Sequence, residues 1–336
     1  MFSESESPIE TSHLNGTSAD AKRPPVQNDA FSAPICSTAS DVINPTSHVG
    51  ADCGGKSLRS VCYRASFRPS GKAAPFTTSA HLQGSELAAI VRFSGSSSPS
   101  LLADLLSPAK GMAVQFLLPN GTPSSLIGIT VPVFFARTPK SLRDMLATLK
   151  QAKNGQLPKS EALRRFALYF DESRQGFLAL HRLKPPASYA TCLYYCVHAY
   201  YLVDEQGCRR PVKFEWLPDA GVHTLTRHEA TAQPDDYLEQ ELELRLREHP
   251  VSFKLDIVFG EEGDPIDDPT KRWPANRPRV EAGRLVLLEP ISEPEDLMID
   301  PTIVPEGMAL SEDPILRFNP GLYLEPLKRC TPPTEH

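Results

Sequence analysis

The stretch from Leu87 to Pro139 constrains the fold more than any other part of this chain. It holds three short apolar runs, Ile90–Phe93, Met112–Leu118 and Ile127–Phe135, separated by Gly95, Pro99, Pro108, Asn120-Gly121 and Pro123. Short apolar runs bounded by turn formers are the pattern of successive β-strands. Asn-Gly between two of them marks a hairpin, because both residues accept the positive φ that a tight hairpin turn needs. Arg92 and Ser94 lie two apart in one strand, so their side chains share a face. A polar pair on one face of an otherwise apolar strand requires a partner, since burying it unpaired is costly.

The remaining pattern extends this reading. From Ser57 to about Pro139 the chain reads as strands. Leu142, Met145, Leu146 and Leu149 fall at helical spacing within a helix over Lys140–Lys153, and Ser160–Lys184 reads as a second helix with Ser160 as its N-cap. Strands return from Tyr189 to Phe259. Within that region the acidic stretch Asp235–Glu248 is ambiguous, and the alternation of Leu242, Leu244 and Leu246 favours a strand. A proline-rich coil then leads to a C-terminal helix. This order supports an α+β protein, a closed antiparallel β-barrel with helices packed outside.

The chain has 336 residues, 40% hydrophobic and 23% charged, enough for one large core. A net charge of −6 gives no electrostatic reason to expect nucleic acid or an anionic membrane as partner. There is no apolar run long enough to span a bilayer. The N-terminus, MFSESESPIE, has neither a basic region nor an apolar one, so no secretory signal is visible and a cytoplasmic location is expected. Residues 1–52 are rich in Ser, Thr, Pro, Asn and Asp and read as a disordered polar leader; non-classical export through it stays open. The folded domain is expected over 53–330, with a short tail at 331–336. The seven cysteines are odd in number, without a C-x-x-C pair, which points to reduced thiols rather than a disulfide framework or a zinc site. His223 and His228 follow Pro218-Asp219 in a segment that reads as a loop, and they read as solvated.

Three segments carry a resemblance. VRFS (Val91–Ser94), KGMAVQF (Lys110–Phe116) and PVFFARTP (Pro132–Pro139) occur in the order and spacing of the haem catalases, and especially of the short catalase-related peroxidases. Tyr189–Val222, Trp273–Pro290 and Asp313–Arg329 resemble that family's paired strands, late wrapping segment and terminal ligand-bearing helix, so the similarity spans roughly Ser57 to Arg329. The resemblance implies haem b as cofactor, with Arg92 on a propionate, Ser94 supporting the distal residue, and Phe134 and Phe135 lining the haem or its channel. Tyr323, ten residues after Asp313, falls at the axial ligand. A phenolate there favours ferric and higher oxidation states, which suits peroxide chemistry. The resemblance also favours a homodimer over the interwoven tetramer of larger catalases.

The chain departs from the family at several of its polar positions. Ser57 stands where the distal histidine belongs, Ser60 at a family glycine, Ile129 at the distal asparagine, Gly54 at a second propionate arginine, and Asn319 at the arginine that contacts the phenolate. Moving a proton between the two peroxide oxygens is acid–base work, typically worth about 10²–10⁴ in rate, and a serine hydroxyl is a weak base near neutral pH. His81 is the first alternative base. Two readings follow from different classes. One is a haem peroxidase that oxidises a small reductant with hydrogen or organic peroxide and has little catalase activity. The other is an inactive descendant that binds haem, or nothing, as a scavenging protein. A fatty-acid hydroperoxide isomerase or dehydratase is a third, weaker option, because those relatives keep the distal histidine.

Overall fold

A computed structural model describes residues 60–94, 109–153, 155–234 and 236–318. Four strands follow one another in the first part: β1 (Ser60–Pro69), β2 (Leu87–Ser94), β3 (Gly111–Leu117) and β4 (Pro123–Ile129). The second part adds β5 (Tyr194–Val203), β6 (Arg209–Pro218), β7 (Ser252–Phe259), β8 (Arg279–Ile291) and the short β9 (Met308–Leu310). The first eight form an antiparallel sheet in the order β4-β3-β2-β1-β8-β7-β6-β5, and β4 pairs β5 through Ile129 and Tyr195, which closes the barrel. β9 pairs the far end of β5. The β3–β4 hairpin turns at Asn120-Gly121, with Gly121 at φ 74°.

Alternation sorts the side chains. Val91 and Phe93 of β2, Val114 and Phe116 of β3, and Tyr63 and Phe67 of β1 point inward, into a core that also buries Trp216, Phe214, Phe253 and Leu285. Rings fill this interior edge to face: Phe67 meets Phe116 and Trp216 at centroid distances of 5.1 and 6.1 Å. Gly283 of β8 is required by closeness. A Cβ there would lie 2.6 Å from the Arg68 carbonyl oxygen and 2.6 Å from the Phe67 ring.

Helices lie on the outside: α1 (Pro139–Lys153), α2 (Lys159–Tyr169), α3 (Arg174–Arg182), α4 (Arg227–Thr231), α5 (Tyr237–Glu248) and α6 (Pro314–Phe318). Leu142 and Met145 of α1, Phe170 and Leu180 build a second buried cluster with Val131, Phe134, Phe135 and Ile315.

Four expectations need correction. The third apolar run is a strand only to Ile129; Thr130 N–H makes one last bond across to the Lys110 carbonyl, and Pro132, which has no N–H, cannot continue the ladder. The helix expected over Ser160–Lys184 is two helices joined by a 3₁₀ turn at Asp171–Ser173, starting at Lys159 with Pro158, not Ser160, as N-cap. Phe170 leaves helical geometry at the break, where it is buried, and Ser173 Oγ donates to the Phe135 carbonyl. The stretch read as a strand at Asp235–Glu248 forms helix α5. Its buried residues, Leu238 and Leu242, are four apart, Leu244 is exposed, and Glu241–Arg245 and Glu243–Arg247 pair at i,i+4. The proline-rich coil expected after Phe259 is interrupted by β8, thirteen residues long, which joins β1 to β7.

Buried His81 supplies a stability prediction. Its ring is fully buried, stacked on Phe116 at 4.7 Å, with Nδ1 3.1 Å from Ser79 Oγ. Burial lowers its pKa to about 4. The unfolded chain therefore takes up a proton near pH 6.5 that the folded protein refuses, so this stabilisation is full above pH 6.5 and lost as pH falls towards 4. The loss is on the order of 3 kcal/mol. Urea unfolding of wild type and His81→Phe at pH 7 and pH 4.5 should show a larger loss in wild type; equal losses would contradict the assignment.

Candidate functional site

The register places a polar cluster on the outer face of β1 and β2. Arg92 is opposite Cys62 on one side and Ala113 on the other; Ser94 is opposite Ser60 and Gly111, and Gly111 in turn faces Ile129. Arg92 and Ser94 are 2% and 1% exposed, so the shared face read from the sequence is a buried one. Arg92 Nη2 donates to Ser60 Oγ at 3.3 Å, Ser60 Oγ donates to Glu293 Oε2 at 3.2 Å, and Arg92 Nε lies 3.3 Å from that same carboxylate oxygen. Burial lowers the Arg92 pKa, and the Glu293 carboxylate opposes this. The neighbouring Cys62 thiol is pushed up to about 12, chiefly by burial and then by Glu293, so it stays protonated.

Ser94 Oγ is buried with no hydrogen-bond partner among the described residues. An orphaned hydroxyl costs about 1–3 kcal/mol unless something supplies its partner. Small Gly111 and Ala113 lie beside it on the same face. An orphan hydroxyl, a buried guanidinium and small neighbours fit a flat, carboxylate-bearing group laid on this side of the barrel. Ile129 offers no hydrogen bond: it is half-buried at the seam, packed on the second apolar cluster.

Phe134 and Phe135 are both buried in that cluster. Phe134 N–H bonds the Pro269 carbonyl and its ring lies 5.9 Å from the His198 ring, while Phe135 packs on Gly176 and Phe177 of α3. His81 belongs to the barrel interior, stacked on inward-facing Phe116, whereas Arg92 and Ser94 face outward. It is therefore corrected as a candidate base. Ser57, Asn319 and Tyr323 lie outside the described residues.

Two residues, Glu293 and His198, escaped the sequence reading, and Ser60 was read there only as the replacement of a family glycine. Ser60 and Glu293 complete the Arg92 cluster, and His198 of β5 pairs Asp313. Asp313 is 1% exposed; its Oδ1 accepts from the N–H groups of Ile315 and Leu316 at the start of α6, and its Oδ2 accepts from His198 Nδ1 at 2.7 Å. The pair ties the barrel wall to the segment that leads towards Tyr323. The partners are 233 and 115 residues apart in sequence, and no local pattern links them.

A closed eight-stranded antiparallel barrel with external helices and a buried basic–hydroxyl site on its outer wall defines the class. The catalase family model matches residues 59–325, and the chain belongs to the catalase family. It is 27% identical over 270 residues to a catalase-related peroxidase of Synechococcus elongatus, covering 79% of this chain and 80% of that one. A catalase-related peroxidase of Mycolicibacterium paratuberculosis is 29% identical over 301 residues, covering 87% and 94%. A fungal catalase structure superposes with a TM-score of 0.66 at 22% identity, covering 77% of this chain and 56% of that one. The chain thus spans little more than half the length of the solved catalase it matches. No helix among the described residues is long and apolar enough to cross a membrane.

Proposed function

We propose that this protein is a haem b-dependent peroxidase that oxidises a small reductant with hydrogen or organic peroxide and has weak catalase activity. The observation that carries the reading is the buried Arg92–Ser94 pair, with Ser94 Oγ unpartnered among the described residues, on the motif residues of a catalase-family barrel. Bound haem would supply a ferric centre at which peroxide is reduced and its oxidising equivalents are passed to the reductant.

The chain's own residues divide the remaining work. Arg92 would hold a haem carboxylate with the charge-assisted N–H donors of a buried guanidinium. Ser94 would donate to, or accept from, the group opposite it, and Phe134 would form part of the apolar wall. Tyr323 is proposed as the axial ligand and Asn319 as its neighbour, with His198–Asp313 fixing the start of the segment that carries them. The weak point is proton transfer. Ser57, at the position of the missing distal histidine, is a poor base, and Ile129 has no amide with which to orient peroxide.

The same apolar Ile129 favours a second reading, a catalytically inactive haem-binding or scavenging barrel. Oxygen evolution and dye oxidation separate the two. A peroxidase of this kind evolves little oxygen from hydrogen peroxide yet oxidises a dye reductant slowly and in proportion to its haem content. Haem-loaded protein without dye oxidation supports the scavenger, and oxygen evolution at rates typical of catalases contradicts the proposed loss of the base.

A further inference from the structure

We propose that Glu293 is an internal stand-in anion for Arg92, which a ligand carboxylate displaces, so that Glu293 sets the affinity of this face for carboxylate-bearing haem. The proposal rests on the haem reading above. A guanidinium that is 2% exposed needs a counter-anion, because a buried unpaired charge is strongly destabilising. Glu293, just beyond β8, supplies one, and a single oxygen, Oε2, serves both Arg92 Nε and Ser60 Oγ.

The grip is loose in three respects. The contacts are 3.3 and 3.2 Å, longer than the 2.7–2.9 Å usual for charge-assisted bonds. Only one carboxylate oxygen is engaged, whereas elsewhere in this molecule Arg277 holds Asp264 through both oxygens at 2.6 and 2.9 Å. The Glu293 side chain is also 26% exposed, so it borders solvent and has water to turn into; Arg92 does not.

The backbone after Glu293 is held in place. The Met298 carbonyl accepts from Gln115 Nε2 at 3.1 Å and Ser125 Oγ at 3.2 Å, which pins the segment to the outside of β3 and β4. The exchange therefore needs a side-chain rotation and no movement of the strap. A second carboxylate brought to Arg92 meets the first at close range, where like charges repel. Release of Glu293 removes that repulsion and opens its place beside Arg92 and Ser60 to the incoming group.

The test compares haemin with its dimethyl ester, in which both carboxylates are masked. Equilibrium dissociation constants are read from the Soret absorbance for wild type, Glu293→Gln and Glu293→Ser. Both variants should bind haemin about tenfold more tightly, equivalent to about 1.4 kcal/mol, and bind the ester as wild type does. The second variant guards against misfolding specific to the amide. Unchanged or weaker haemin binding by both variants, or an equal shift for haemin and ester, overturns the exchange alone. If wild type binds neither porphyrin, the haem reading falls and the exchange falls with it.

Discussion

Tyr323→Phe is expected to purify with almost no haem while keeping the barrel folded. Tyr323 is the phenolate proposed to hold the iron, and the substitution removes one oxygen atom. A phenylalanine ring offers iron no lone pair, so haem would be left with the proposed Arg92 contact and apolar packing. Among the described residues the barrel closes through Ile129 and Tyr195 and packs its interior around Phe67, Phe116 and Trp216, so loss of one oxygen at residue 323 is expected to leave it folded. Haem content, measured by pyridine haemochrome, should collapse, while the far-ultraviolet circular dichroism and the urea midpoint stay within error of wild type. Full haem content with an unchanged spectrum would mean that another residue is the ligand.

Ser57→His should raise peroxide turnover. An imidazole can take the proton from one peroxide oxygen and return it to the other, which a serine hydroxyl near neutral pH cannot do efficiently. The gain expected is about 10- to 100-fold, at or below the low end of the usual range for a positioned acid–base group. Two features of this site cap it. Ile129 supplies no amide to orient peroxide, and Ser94 alone would hold the new ring through its spare hydroxyl. The double variant Ser57→His/Ile129→Asn should therefore exceed the sum of the two single gains. A Ser57→His protein with full haem and no gain would place the acid–base function at another residue.

The barrel was legible in the sequence where period and turn chemistry agreed. Leu87–Ser94 and Met112–Leu118 show short apolar runs broken by Gly and Pro, and Asn120-Gly121 sits where positive φ is needed. The reading failed where two periods coexist. Leu242, Leu244 and Leu246 alternate like a strand, but only the i,i+4 pair Leu238–Leu242 is buried deeply, and four charged partners on the outside stabilise the helix. β8 was missed as a strand because its outward residues, Arg284, Leu288 and Glu289, mix charged and apolar, so no clean alternation survives. At the site, Arg92 and Ser94 announced themselves by spacing within one strand. Glu293 and His198, and the pairings they make with Ser60 and Asp313, did not, because those pairings join elements far apart in the chain and exist only once the barrel closes.

This catalase-family barrel is proposed to hold haem through a tyrosinate on a site built around Arg92 and Ser94. The absorption spectrum of the purified protein, before and after reconstitution with haemin, tests it most directly. A Soret band with high-spin ferric phenolate features that is lost in Tyr323→Phe is the predicted result. Absence of any Soret band after reconstitution would contradict the claim and leave a barrel that works without haem.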